Sequence, residues 1–236
     1  MEVLREVAKR LEESSPQLAN TTSENPMPSS RTECESCGGE GWVPSGGMLR
    51  PCLCQRERAI QRELPPRYRY ARLADFPVES RAQIGRWFKT PGDGLLLFGA
   101  VGSGKTHLAA AIARDRMEQG ERVQFRRLAE FYAALRESYR LNMSETEVLQ
   151  PYVAAPLIVL DDLGAGGLTD FERRATLEIL DQRLNHMRPT VVTTNLELGE
   201  IADKMDDRIA SRLAMYTNIR LAGADRRLAA TATGGQ

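Results

Sequence analysis

The sequence predicts an α/β fold, a parallel sheet flanked by helices, with a small cysteine module ahead of it. Three observations carry that reading. From residue 78 onward, short apolar runs suited to buried strands alternate with helical patterns, which implies a parallel sheet with helices on both sides. A glycine-rich loop joins the first of those runs to a helix. All four cysteines fall within 21 residues, from Cys34 to Cys54. The 236 residues suffice for one large domain and an accessory module. Its 32 basic and 32 acidic residues cancel, so contact with a polyanion must use a local patch. No run of 18 apolar residues exists, which excludes a transmembrane helix. Met1-Glu2-Val3-Leu4-Arg5 has no signal-peptide core, so a cytoplasmic protein without membrane contact is expected.

The elements follow in order. Residues 1–31 hold an amphipathic helix, with Val3, Leu4, Val7 and Leu11 at helical spacing, and a flexible linker rich in Ser, Thr, Asn and Pro. The cysteine module covers 32–56. A basic connector, 57–77, is broken at Leu64-Pro65-Pro66. The main domain spans 78–228. Leu95–Phe98 reads as a buried strand, and Thr106–Gln119 as a helix ended by Gly120. Arg122–Phe125 is a second strand, and the following helix places Leu128, Phe131, Tyr132, Leu135 and Tyr139 on one core face. Leu157–Leu160 is continuously apolar, as a strand covered on both faces should be. Thr169-x-x-Glu172 opens the next helix as a capping box, and Pro189–Thr194 is a further strand. Residues 229–236 are expected to be a disordered tail.

Gly99-Ala100-Val101-Gly102-Ser103-Gly104-Lys105-Thr106 fits G-x-x-x-x-G-K-[ST] in the strand–loop–helix setting that pattern requires. The glycines let backbone N–H groups curl around phosphate oxygens. Lys105 neutralises β/γ-phosphate charge, and the Thr106 hydroxyl suits Mg²⁺. The pattern reads as a site for ATP or another nucleoside triphosphate. The strand Leu157–Leu160 then delivers Asp161 and Asp162 at its C-terminal end, the Walker B arrangement. Asp161 would join the Mg²⁺ shell, and Asp162 would polarise the attacking water as general base. Asn195, after Thr193-Thr194, is placed to position water against the γ-phosphate.

In this order the motifs, with Asp206-Asp207-Arg208-Ile209-Ala210-Ser211-Arg212-Leu213 after them, resemble an AAA+ ATPase. More narrowly, residues 65–228 resemble the DnaC/DnaI-type replicative-helicase loaders and their IstB-type transposition relatives. The resemblance implies that Arg212 acts as an arginine finger in a neighbouring subunit's site, so that hydrolysis needs self-association. It also makes Arg227 a sensor candidate, with a solvated basic tail as the alternative. Two departures stand out. Walker B reads Asp-Asp rather than Asp-Glu, and only 24 residues follow Arg212, few for the usual helical lid.

Cys34-x-x-Cys37 and Cys52-x-Cys54 supply two close thiol pairs suited to tetrahedral Zn²⁺, reduced unliganded thiols being the alternative. Four sulfur ligands leave no open position, so the metal would be structural. In the connector, Arg67-Tyr68-Arg69-Tyr70 reads as a segment packing on the main domain, with single-stranded nucleic acid contact as the alternative. The expectation is an ATP-dependent loader of a replicative DNA helicase onto single-stranded DNA, gripping the helicase through the N-terminal helix and zinc module. The alternatives are a transposition helper ATPase acting on duplex DNA and a nucleotide-gated DNA-binding adaptor with negligible hydrolysis.

Overall fold

A computed structural model describes residues 34–222 apart from 91, 165 and 167. The helix expected at 2–13, the linker to residue 31, the tail at 229–236 and Arg227 lie outside the described residues. A hairpin of β1 (Trp42–Ser45) and β2 (Met48–Pro51) leads into α1 (Leu53–Glu63), then through two single 3₁₀ turns to α2 (Val78–Trp87). The main sheet has five parallel strands in the order β4-β5-β6-β3-β7: β3 (Gly94–Phe98), β4 (Val123–Arg127), β5 (Leu157–Leu163), β6 (Thr190–Thr194) and β7 (Thr217–Arg220). Between them run α3 (Lys105–Glu118), α4 (Leu128–Arg140), α5 (Glu145–Ala154), α6 (Asp170–Asn185), α7 (Leu198–Lys204) and α8 (Asp207–Ala214).

Strand alternation splits the core in two. Leu95, Leu97, Leu157, Val159, Val191 and Ile219 face one cluster with α1, α2 and α3; Leu96, Ile158, Leu160 and Val192 face another with α4, α5, α6 and α8. Residues 95–97 are wholly inaccessible, each burial contributing about 1.5–3 kcal/mol. Arg183 on α6 is just as buried and, among the described residues, has no carboxylate partner. Its Nε donates to Thr190 Oγ1 at 2.7 Å, and its Nη atoms donate to the carbonyls of Tyr152, Val153, Ala155 and Pro189 at 2.6–3.0 Å. The guanidinium therefore satisfies the orphan carbonyls at the end of α5. Burial lowers its pKa to about 10, which leaves it charged at neutral pH.

Several elements depart from the expectation. Helix α5 and strand β7 were not anticipated. The polar end of β5 continues as strand through both aspartates to Leu163. Tyr139 is not core: it is 51% exposed, lies edge-on against Phe171 and donates to Glu145 Oε2, because it sits in the last turn of α4, past the sheet. Phe131 and Tyr132 are buried as expected, Tyr132 hydrogen-bonded to Thr176.

The connector lies along α3. Arg114 on α3 is 6% exposed; it donates to the carbonyl of Arg69 and to Glu118, and pairs with Glu57 at 3.9 Å. Arg56 donates to the carbonyl of Glu118, and Tyr68 stacks near His107 at the other end of α3. Helices α1 and α3 are thus antiparallel, and α1 runs unbroken across residue 56. Tyr68 belongs to this packing, whereas Tyr70 is exposed.

Candidate functional site

Strand β3 ends at Phe98 and feeds the loop 99–104, from which α3 starts at Lys105. Gly99 has φ +139°, and a Cβ there would lie 2.4 Å from the Leu221 carbonyl oxygen. Leu221 itself donates to the Phe98 carbonyl at 2.8 Å, so the end of β7 closes over the base of the loop. Gly104, the N-cap of α3, has φ +97° and no side chain to cap the first turn. The first-turn N–H groups therefore open toward the loop, as anion binding at a helix N-terminus requires. Lys105 is buried to 7% exposure, its Nζ donating to the carbonyls of Gly99 at 2.8 Å and Ala100 at 2.7 Å. Among the described residues Ser103 Oγ is buried without a hydrogen-bond partner, and Val101 stands exposed at the crest. A strained, glycine-lined cradle with a buried ammonium and an unpaired hydroxyl fits a triphosphate.

Asp161 lies on β5 beside this loop and is 2% exposed. Burial raises its pKa, while hydrogen bonds from Thr193 and Thr106 pull it back down. Thr106 and Asp161, the two expected Mg²⁺ ligands, are thus in direct contact. The pairing of β5 with β6 slips here: Leu160 faces Val192 and Leu163 faces Thr194, so Asp161 and Asp162 together oppose Thr193. This is a β-bulge. Asp162 occupies it at φ +67°, a left-handed conformation that costs a non-glycine residue roughly 1–2 kcal/mol. The bulge is plugged by Thr193, whose Oγ1 donates to Asp161 Oδ1 at 2.7 Å and accepts from the Asp162 N–H at 2.9 Å. One hydroxyl therefore holds both aspartates, one by its carboxylate and the other by its backbone N–H. The sequence placed Thr193 next to Asn195 and weighted the asparagine; nothing local marked the threonine, whose place opposite the aspartates is set by strand register. Asn195 is exposed, one residue past the end of β6.

Arg212 is not brought to this cluster. It lies on α8, and its Nε donates to Asp181 on α6. Arg208, one turn earlier, is tied to Asp206 at 3.3 Å.

The four thiols converge. Their sulfurs lie within 4.8 Å of one another, with Cys34–Cys52 at 3.7 Å and Cys37–Cys54 at 3.5 Å. Tetrahedral zinc at about 2.3 Å from each sulfur requires sulfurs about 3.8 Å apart, so the set fits. The Gly41 N–H donates to Cys37 Sγ at 3.2 Å. The backbone of Ser36 is the main cause that lowers the Cys34 thiol to about 7, while burial pushes Cys54 up to about 12.

Residues 73–217 match the family described as IstB-like ATP binding protein. The chain is 25% identical over 196 residues to the replicative helicase loader DnaC of Escherichia coli (strain K12), covering 75% of this chain and 80% of that protein. It is 32% identical over 129 residues to a putative insertion sequence ATP-binding protein of Sinorhizobium fredii, covering 52% and 43%. The crystal structure of DnaI superposes over 73% of this chain and all of that one, at 26% identity and a TM-score of 0.61.

Proposed function

The chain belongs to the IstB-like ATP-binding protein family, and on that premise we propose that it is an AAA+ ATPase that loads a replicative DNA helicase onto single-stranded DNA. The observation that carries this reading is the breadth of its likeness to a helicase loader, four-fifths of that protein's length. The cysteine module adds support. Trp42, Met48, Leu49 and Leu53 are 46–75% exposed and cluster within twelve residues around the thiols, the composition of a surface that another protein covers. Zinc, when bound to Cys34, Cys37, Cys52 and Cys54, supplies structure alone.

The residues divide the work of hydrolysis. The backbone of Gly99, Ala100, Val101, Gly102, Ser103 and Gly104 cradles the phosphates, and Lys105 releases the loop carbonyls to meet the β/γ-phosphate charge. Thr106 and Asp161 would hold Mg²⁺, which would neutralise charge on the phosphates there. Asp162, fixed by the bulge, takes the proton of the attacking water, and Asn195 orients that water. Arg212 of a neighbouring subunit stabilises charge on the transferring phosphoryl group. Hydrolysis then switches assembly and releases the helicase.

The test is light scattering behind size exclusion on the zinc-loaded chain mixed with its host's replicative helicase, with and without ATP. A stable complex that is lost on zinc chelation is expected. No complex, with ATP-dependent assembly on duplex DNA instead, would favour the transposition helper, the reading that the Sinorhizobium fredii relative supports. Unchanged activity of Asp162→Ala in the loading assay would favour a nucleotide-gated adaptor that does not need turnover.

A further inference from the structure

Arginines 208 and 212 lie one turn apart on α8, yet they are held differently. Arg208 is two-thirds exposed, and both its Nε and Nη2 contact Asp206, the N-cap of its own helix. Arg212 is about one-third exposed and gives only its Nε to Asp181, on the neighbouring helix α6. Among the described residues Nη1 and Nη2 of Arg212 take no partner. A guanidinium offers a side edge, Nε with one Nη, and an end edge, the two Nη groups. Asp181 takes Nε on the side edge and leaves the end edge uncommitted among the described residues.

Asp181 is itself firmly mounted. Ile179 and Leu180 before it are inaccessible, and two residues later Arg183 is locked by its cage of carbonyls. The carboxylate that sets the direction of Arg212 is therefore fixed to the sheet, on the helix that follows the Walker B strand. Asp181 and Arg208 also line a cleft of about 440 Å³ between α5 and α6, and Arg208 is held there by Asp206 of its own helix cap.

We propose that Asp181 is a positioning residue for the arginine finger: it holds Arg212 by Nε so that the two Nη groups meet the γ-phosphate in a neighbouring subunit end-on. This rests on the reading of Arg212 as a finger acting in trans. Pre-orientation spares the flexible side chain the search for one geometry when subunits meet, and misplacement of a reacting or stabilising group by about 1 Å costs up to about 100-fold.

The experiment measures ATP turnover per subunit of the full zinc-loaded chain across protein concentration. Arg212→Ala is expected to lose about 10³-fold in the concentration-stimulated rate. Asp181→Ala is expected to lower kcat by about 10- to 100-fold with KM for ATP unchanged. Asp181→Asn keeps a carbonyl oxygen for Nε and should recover most of that loss. The double variant Asp181→Ala, Arg212→Ala should be no worse than Arg212→Ala alone. Mixing separates positioning from damage to the fold: Lys105→Ala subunits, which keep an intact finger, should restore turnover at the sites of Asp181→Ala subunits. Wild-type or raised turnover in Asp181→Ala, additive loss in the double variant, or no rescue on mixing would each overturn the role of Asp181. Turnover that is independent of concentration and of Arg212 would instead sink the finger itself, and this inference with it.

Discussion

Between Cys34 and Cys52 the chain leaves nearly every side chain at least partly exposed; Cys52 is its one buried hydrophobic residue. Between Gly94 and Thr194 the strands are lined on both faces, and leucines 95–97 see no solvent. The two regions hold functional loops by different physics. In the module, four converging sulfurs stand where an apolar core would be; in the main domain, two clusters of aliphatic side chains clamp the phosphate loop between β3 and α3. Such a molecule should answer to two separate perturbants.

The largest effect expected is on the module. Structural zinc binding supplies roughly 10–16 kcal/mol in small domains, more than this hairpin can replace, so chelation should expose residues 34–52 to protease. Nucleotide affinity of the main domain should stay within about threefold, read by fluorescence titration. Collapse of both together would break the comparison. The converse is Leu96→Ala, which opens a cavity on one face of the sheet and should cost about 2–5 kcal/mol in chemical denaturation while the zinc content stays at one per chain.

Next in size is the bulge. Thr193→Val keeps the shape but removes the hydroxyl that holds Asp161 and the Asp162 N–H. Turnover should fall about tenfold, which corresponds to about 1.4 kcal/mol of barrier, with ATP affinity changing much less. Equal loss of both would place Thr193 in binding rather than in setting the Walker B geometry.

The smallest effect concerns the buried carboxyl. Asp161 has its folded pKa above the unfolded value of 3.8, chiefly through burial. Such a group favours the folded state when protonated and loses that contribution as pH rises through the folded pKa. At neutral pH its charge is therefore a net cost, so Asp161→Asn should raise the Tm of the nucleotide-free protein while weakening Mg²⁺-dependent binding. Mg²⁺-dependent affinity should likewise fall on acidification at a pH above the ordinary carboxylate range. A lower Tm for Asp161→Asn would show that the hydrogen bonds from Thr193 and Thr106 outweigh burial.

Much of this was legible in the sequence, and the failures have physical causes. The strands at 95–98, 157–160 and 190–194 and the phosphate loop announce themselves because a parallel strand buried on both faces is apolar throughout. Helix α5 hides because Pro151 sits inside it, although Ser144-x-x-Glu147 is a capping box that marks its start. Strand β7 hides because an edge strand with one buried residue, Ile219, carries almost no pattern. The thiols were found by spacing alone. What spacing could not supply was the bulge: a left-handed Asp162 and a threonine plug depend on strand register, which no local pattern encodes. For the same reason Asp181, thirty-one residues from Arg212, had no signal at all.

The antiparallel pair of α1 and α3 has one more consequence. Helix α1 is N-capped by Cys52, helix α3 begins at the phosphate loop, and Arg56, through the Glu118 carbonyl, and Arg114, through Glu57, rivet them where the module meets the far end of α3. The 14 residues of α3 set the two sites about 20 Å apart along a single rod. Thermodynamic reciprocity requires that zinc change nucleotide affinity by the same factor as nucleotide changes zinc affinity. The threefold ceiling on one is thus a ceiling on the other, about 0.7 kcal/mol. On those terms the helix pair is a bracket that fixes where the module stands relative to the phosphate loop, and under the proposed function the nucleotide acts through contacts between subunits.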